Sequence, residues 1–128
     1  MTMLEVLVAI AIMTAISTLV FPELQRMRSR ILVRSSAQHL VMDLRRSRAG
    51  ALVSATASAV TIHPDGRAYN VIDVTRDAPN GITFSGSVVR FYPDGTASGG
   101  ALAVTGYGHR IGIVVDPVLG NVVMGASQ

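Results

Sequence analysis

A single carboxylate stands near the start of an otherwise apolar segment. Glu5 is followed by Val6–Phe21, in which no residue carries a charge. A carboxylate deep in a membrane span costs about 2.5–3.5 kcal/mol and usually meets a partner. Close to the interface it can stay hydrated. Farther in it needs a positive group, and the free α-amino group of a neighbouring chain is the candidate for an assembly salt bridge. The other chemistry-bearing residues are scattered. His39, His63 and His109 have no metal-ligand spacing, and there is no Gly-x-Ser-x-Gly elbow, His-Glu-x-x-His helix or phosphate-binding loop. The sequence thus offers no catalytic residue, no metal site and no cofactor, and points away from an enzyme. Pro-Asp-Gly occurs at 64–66 and at 93–95 without the alternating ligands and distal Glu of a calcium loop. Pro presets φ, Asp bonds its own backbone and Gly accepts φ > 0, so both read as turns.

All eleven basic residues are Arg. Seven of them (Arg26, Arg28, Arg30, Arg34, Arg45, Arg46, Arg48) fall within 23–48 against Glu23 and Asp43, a local net of +5 in a chain whose net is +3. Phosphates of lipid or nucleic acid would suit such a cluster, as would acidic groups of neighbouring subunits. No aromatic residue is interleaved to stack bases, which argues against nucleic acid. Arg26, Arg28, Arg30 and Arg34 are therefore assigned to subunit contacts, lipid contacts or solvent.

Several elements must position these groups. Residues 1–22 are long enough to span, since roughly 20 helical residues cross a hydrocarbon core. A cleavable signal peptide would begin with basic residues and close on a small-x-small site. Neither is present here, so a retained membrane helix is expected. Pro22 removes a backbone donor and predicts a kink. Beyond it, Ile31, Val33, Ala37, Leu40, Val41, Leu44, Ala51 and Leu52 recur at three- and four-residue steps, which predicts an amphipathic helix over 23–53. The grammar changes from Ser54. Three antiparallel hairpins are expected: 59–63 with 69–74, 88–92 with 101–105, and 110–115 with 121–124. Thr75–Ser87 reads as a longer loop with room for one short strand. The expected fold is α+β: a long N-terminal helix, half membrane-spanning and half amphipathic, packed on a small antiparallel sheet head over 54–128. Such a head is marginal alone, and the amphipathic half of the helix supplies its second layer. Cysteine is absent, so no disulfide contributes.

Met1-Thr-Met-Leu-Glu-Val-Leu-Val-Ala-Ile-Ala-Ile12 resembles the mature N-terminus of type IV pilins and type II secretion pseudopilins, with Glu at the fifth position before an unbroken apolar helix. Leu44-Arg-Arg-Ser-Arg48, Phe91-Tyr-Pro-Asp-Gly-Thr-Ala-Ser-Gly-Gly100 and the closing Ile113-Val-Val-Asp with Leu119-Gly120 resemble the GspH/FimT-type minor pilins. The resemblance implies a pilin-like fold and a structural role in a secretion pseudopilus, near its tip, with a type IV pilus minor pilin as the alternative. It implies a mature chain processed by prepilin peptidase, with Met1 carrying the N-methylated amine. Glu5 would make the assembly contact. Val6, Leu7, Ala9, Ile10, Ile12, Met13, Ile16, Leu19 and Val20 would pack the filament core, and Pro22 would loosen the helix. The implied partners are other major and minor pseudopilins and inner-membrane lipid, with the head in the periplasm. The Arg residues directly after the span favour the opposite topology by the positive-inside rule. A basic leader would supply the competing charges. The DNA-binding minor pilins of transformation end in Gly-Arg-x-Arg; Gly120-Asn-Val-Val123 replaces it here and argues against DNA uptake.

Overall fold

The computed structural model describes residues 2–127, so the expectation for Met1 lies outside the described residues. Helix α1 (Met3–Ser54) is unbroken over 52 residues, roughly 78 Å at 1.5 Å per residue. Its first turn is closed by Thr2. The Thr2 Oγ1 accepts from the Glu5 amide at 3.3 Å, and the Glu5 carboxylate accepts from the Thr2 amide at 3.4 Å. This reciprocal box satisfies two of the donors that a helix N-terminus leaves open. Helical backbone continues on both sides of Pro22. The helix ends where Ala55 turns into the left-handed region at φ 55°.

Among the described residues the head contains eight strands: β1 (Ser58–Ile62), β2 (Ala68–Val71), β3 (Val74–Asp77), β4 (Ile82–Gly86), β5 (Val89–Phe91), β6 (Gly100–Gly106), β7 (His109–Val115) and β8 (Val122–Ser127). They form two antiparallel four-stranded sheets, in the orders β3-β2-β1-β5 and β4-β6-β7-β8. The first and third expected hairpins are present as β1–β2 and β7–β8. The second is not. Val89–Phe91 pairs with β1, whereas Gly100–Gly106 pairs with β4 and β7, so the two segments belong to different sheets. The eight residues between Tyr92 and Ala101 are enough to cross from one sheet to the other. A single Phe91–Ala97 bridge closes the turn that leaves β5. The segment expected as a loop holds two strands, β3 and β4. Strand β3 follows β2 through Ile72 and Asp73, both at positive φ, in a tight two-residue turn.

The second half of α1 packs against strands of both sheets. Val33, Ala37, Leu40, Val41, Leu44 and Ala51 form its buried stripe, at the three- and four-residue spacing of one helix face. Phe91, Ile113, Val60, Val89 and Val104 meet them from the sheets. Ile31 and Leu52, expected in the stripe, are exposed. Ser36, Asp43 and Ser47 are buried instead, Asp43 against Tyr69 of β2 and Ser47 against Ser58 of β1.

Candidate assembly surface

Among the described residues, nothing in the chain buries the lower half of α1. Every residue from Thr2 to Arg28 is exposed, although the segment includes an 18-residue window of mean hydropathy 2.3. Val6, Leu7, Ala9, Ile10, Ile12, Met13, Ile16, Leu19 and Val20 all project from this bare stem, distributed around it. Leaving so many large apolar side chains in water is strongly unfavourable, at about 0.8 kcal/mol per CH₂. The hydroxyls within it turn inward: Thr14 donates to the Ile10 carbonyl, Ser17 to Met13 and Thr18 to Ala15. That arrangement keeps polar hydrogens from facing an apolar surrounding, at a slight cost to the helix that carries them. Pro22 lacks an N–H, so the Thr18 carbonyl loses its i+4 donor.

Glu5 is exposed and engaged only in its own cap. The capping box holds the carboxylate beside the first turn, where the helix dipole favours negative charge. The signal for it is Thr2-x-x-Glu5 before an apolar run, a capping-box spacing that the sequence reading did not include. Arg26 pairs with Glu23 at 3.8 Å, both largely solvated, and such a pair contributes little. Arg28, Arg30 and Arg34 are exposed along the helix above the apolar segment. The structure thus strings the expected site residues along one stem, with Glu5 bonded to Thr2 and Arg26 beside Glu23.

Two further constellations, unseen in the sequence, fix the head on the helix. Asp43 is buried under β2. The Tyr69 hydroxyl donates to its Oδ2 at 2.7 Å, and the Arg76 guanidinium lies 3.4 Å from the same oxygen. Burial first, then the bond to Asp43, pushes the Tyr69 phenol far above its ordinary value, with the nearby Arg76 opposing. The Tyr69 ring meets Phe84 edge-on, centroids 4.9 Å apart. On the other flank, Arg48 donates to the Leu119 carbonyl at 2.9 Å and to the Gly95 carbonyl at 3.4 Å, while Arg45 donates to the Val122 carbonyl at 3.3 Å. Arg48 therefore ties the β5–β6 and β7–β8 connections to the helix. Gly120, at φ 67°, sits so close to the Gly95 carbonyl and the Arg48 side chain that a Cβ would collide with both. The Pro93-Asp94-Gly95 run is a turn, as expected. The Thr96 hydroxyl and amide donate to Asp94 and hold its carboxyl below the usual range. Among the described residues, no three His, Asp or Glu side chains converge on a metal-sized site.

A long helix with a bare apolar lower half, whose upper half carries antiparallel sheets, is the pilin-like architecture. No protein-family model and no curated protein matches the sequence. Solved structures do resemble it. The minor pseudopilin EpsH of the type 2 secretion system of Vibrio cholerae superposes with a TM-score of 0.62 at 13% identity, over 73% of this chain and 96% of that one. The type IV minor pilin FimU of Pseudomonas aeruginosa superposes with TM-scores of 0.60 and 0.63 in two crystal forms, at 14% identity, over 92% and 90% of its length. The fold is that of minor pilins and minor pseudopilins, and the apolar helix fits a membrane-anchored pilin.

Proposed function

We propose that this chain is a structural, non-enzymatic minor pseudopilin that joins other pseudopilins near the tip of a type II secretion pseudopilus. The observation that carries this reading is the bare stem: the most apolar half of α1 is the half its own chain leaves uncovered. A bilayer covers it before assembly, and helices of neighbouring subunits cover it afterwards. In lipid, apolar burial provides little net drive for helix association, so close packing and a polar pairing set the register. Glu5 supplies that pairing by exchanging its bond to the Thr2 amide for the methylated amine of a neighbour's Met1. Pro22 gives the helix its weak point. In this reading prepilin peptidase generates Met1, the inner membrane holds the stem, and the head lies in the periplasm.

The test is Glu5→Ala. The variant is expected to insert in the membrane as wild type and to fail in co-assembly, measured by cross-linking to the major subunit; undiminished cross-linking and secretion would sink the mechanism. The type IV pilus is the second reading, favoured by FimU superposing as well as EpsH does. Cross-linking through a cysteine placed at Ile10, in a host carrying both systems, separates the two by the major subunit captured.

A further inference from the structure

The head reaches down to the stem at the β6–β7 connection. The β6–β7 connection, Tyr107-Gly108, is a tight turn with both residues at positive φ. It hangs beside the helix, and a cleft of about 360 Å³ between them is lined by Gln25, Arg28, Ser29, Leu32 and Tyr107. Tyr107 is held in place: its hydroxyl donates to the Asn80 carbonyl at 2.9 Å. Its ring also covers Gly81, where a Cβ would strike it. Half of the side chain nevertheless remains exposed. A tyrosine kept at positive φ and facing outward is an uncommon use of a residue that favours extended backbone.

The height of this cleft is informative. Gln25, Arg28 and Ser29 lie about 6–12 Å above Phe21 along the helix axis. A hydrocarbon core of about 30 Å with headgroups extending to about 40–45 Å leaves roughly 5–8 Å of polar zone on each side. If the apolar stem spans the bilayer, the cleft therefore opens at the outer edge of the headgroup zone, with Gln25 inside it and the Arg28 side chain, which tilts toward the helix N-terminus, long enough to reach down into it. Charge agrees with height. Arg26, Arg30 and Arg34, spaced by four, occupy one face of the helix, and Arg28 another. Glu23, paired with Arg26, is the only acid between Glu5 and Asp43. Arginine stems run along apolar surface while their heads seek the interface, and tyrosine prefers the same depth.

We propose that the Tyr107–Gly108 turn and the collar of Arg26, Arg28, Arg30 and Arg34 form a docking surface for anionic phospholipid headgroups, which seats the head on the bilayer before assembly. This rests on the reading of the stem as a membrane span. The chain has no Trp and no Cys, so a single introduced tryptophan reports one site. Full-length Tyr107→Trp and, as a distant control, Val53→Trp are reconstituted in vesicles of phosphatidylcholine alone and of phosphatidylcholine with phosphatidylglycerol. Tyr107→Trp is expected to shift its emission to the blue and to become shielded from iodide only in the anionic vesicles, while Val53→Trp stays accessible in both. Arg28→Gln in the same background should move the docking equilibrium about fivefold back toward the free head, one arginine's contribution at an anionic surface. Hydrogen exchange at the Gly106–His109 amides of the unsubstituted chain should slow in the anionic vesicles. Equal accessibility and equal exchange in the two compositions would overturn the proposal. So would shielding that ignores lipid charge and grows with protein density, which would assign the surface to a second copy of the chain. Flotation with the vesicles separates the two readings: a chain that does not float refutes the span itself, whereas one that floats with an accessible Tyr107→Trp refutes only the docking.

Discussion

The two halves of α1 share one continuous backbone and face opposite fates. Above Leu32 the helix buries an apolar stripe and three polar side chains against two sheets; below Ser29 it buries nothing. Apolar content does not explain the difference, since the bare half is the more apolar one. Pattern does. In the upper half most apolar residues gather on one face and Arg, Gln and His occupy much of the other, which is what a helix needs to lie on a sheet. In the lower half apolar residues go all the way round, which suits an environment that is apolar on every side. Sequence periodicity thus separates a helix that finds its partner within the chain from one whose partner lies outside it.

The comparison breaks most easily at Leu40, which is fully buried. Leu40→Ala is expected to destabilise the head by roughly 2–5 kcal/mol in denaturant titration of the full chain in detergent. Leu7→Ala in the stem should change the same transition by less than about 0.5 kcal/mol. Similar losses at both positions would mean that the halves are energetically coupled. A smaller effect is expected at the polar contact. Asp43→Ala strands the Tyr69 hydroxyl beneath β2 and should cost about 1–3 kcal/mol. Its sheet-side signature would be faster hydrogen exchange in β2 and β3, with the stem unaltered. The subtlest effect is alkaline. A phenol whose folded value is raised above the ordinary 10.0 contributes its full stability below that value. The contribution fades as pH climbs beyond about 10. The head should therefore loosen in strong alkali with a lagging phenolate absorbance from Tyr69, and Tyr69→Phe should remove the lag. A Tyr69 that ionises without delay would contradict its burial.

Much of this architecture was legible. The stem is announced by Val6–Phe21, the upper helix by Val33–Ala37–Leu40–Leu44, and two of the hairpins by turn residues between alternating runs. What escaped has a common physical root. Strand β3 reads Val-Thr-Arg-Asp and is exposed throughout, because an edge strand needs no buried face to pair with its neighbour. Alternation marks Val88–Tyr92 as a strand but carries no information on which strand lies beside it, so β5 was assigned to the wrong neighbour. The sequence shows Asp43 only as a charge among arginines, because its partners, Tyr69 and Arg76, are brought to it by the fold. Thr2 and Glu5 differ from these. Their cap is local, and its spacing alone suffices to read it. Of the site, the stem residues and Glu5 were visible from the start, whereas the Tyr107 turn was not, since its proximity to Arg28 is a matter of tertiary approach.

The crossing of β5 into the first sheet governs the order in which the head can be made. Strand β5 completes a layer begun at Ser58, while β4 before it must wait for β6 after it. Neither layer can close from a contiguous stretch, and the second is not complete until its final strand leaves the biosynthetic machinery. During synthesis the stripe of Leu40 and Leu44 is therefore available well before the surfaces that cover it. A nascent head in that interval exposes apolar surface. The stem, needing nothing from the rest of the chain, can already be secured in its own environment by then.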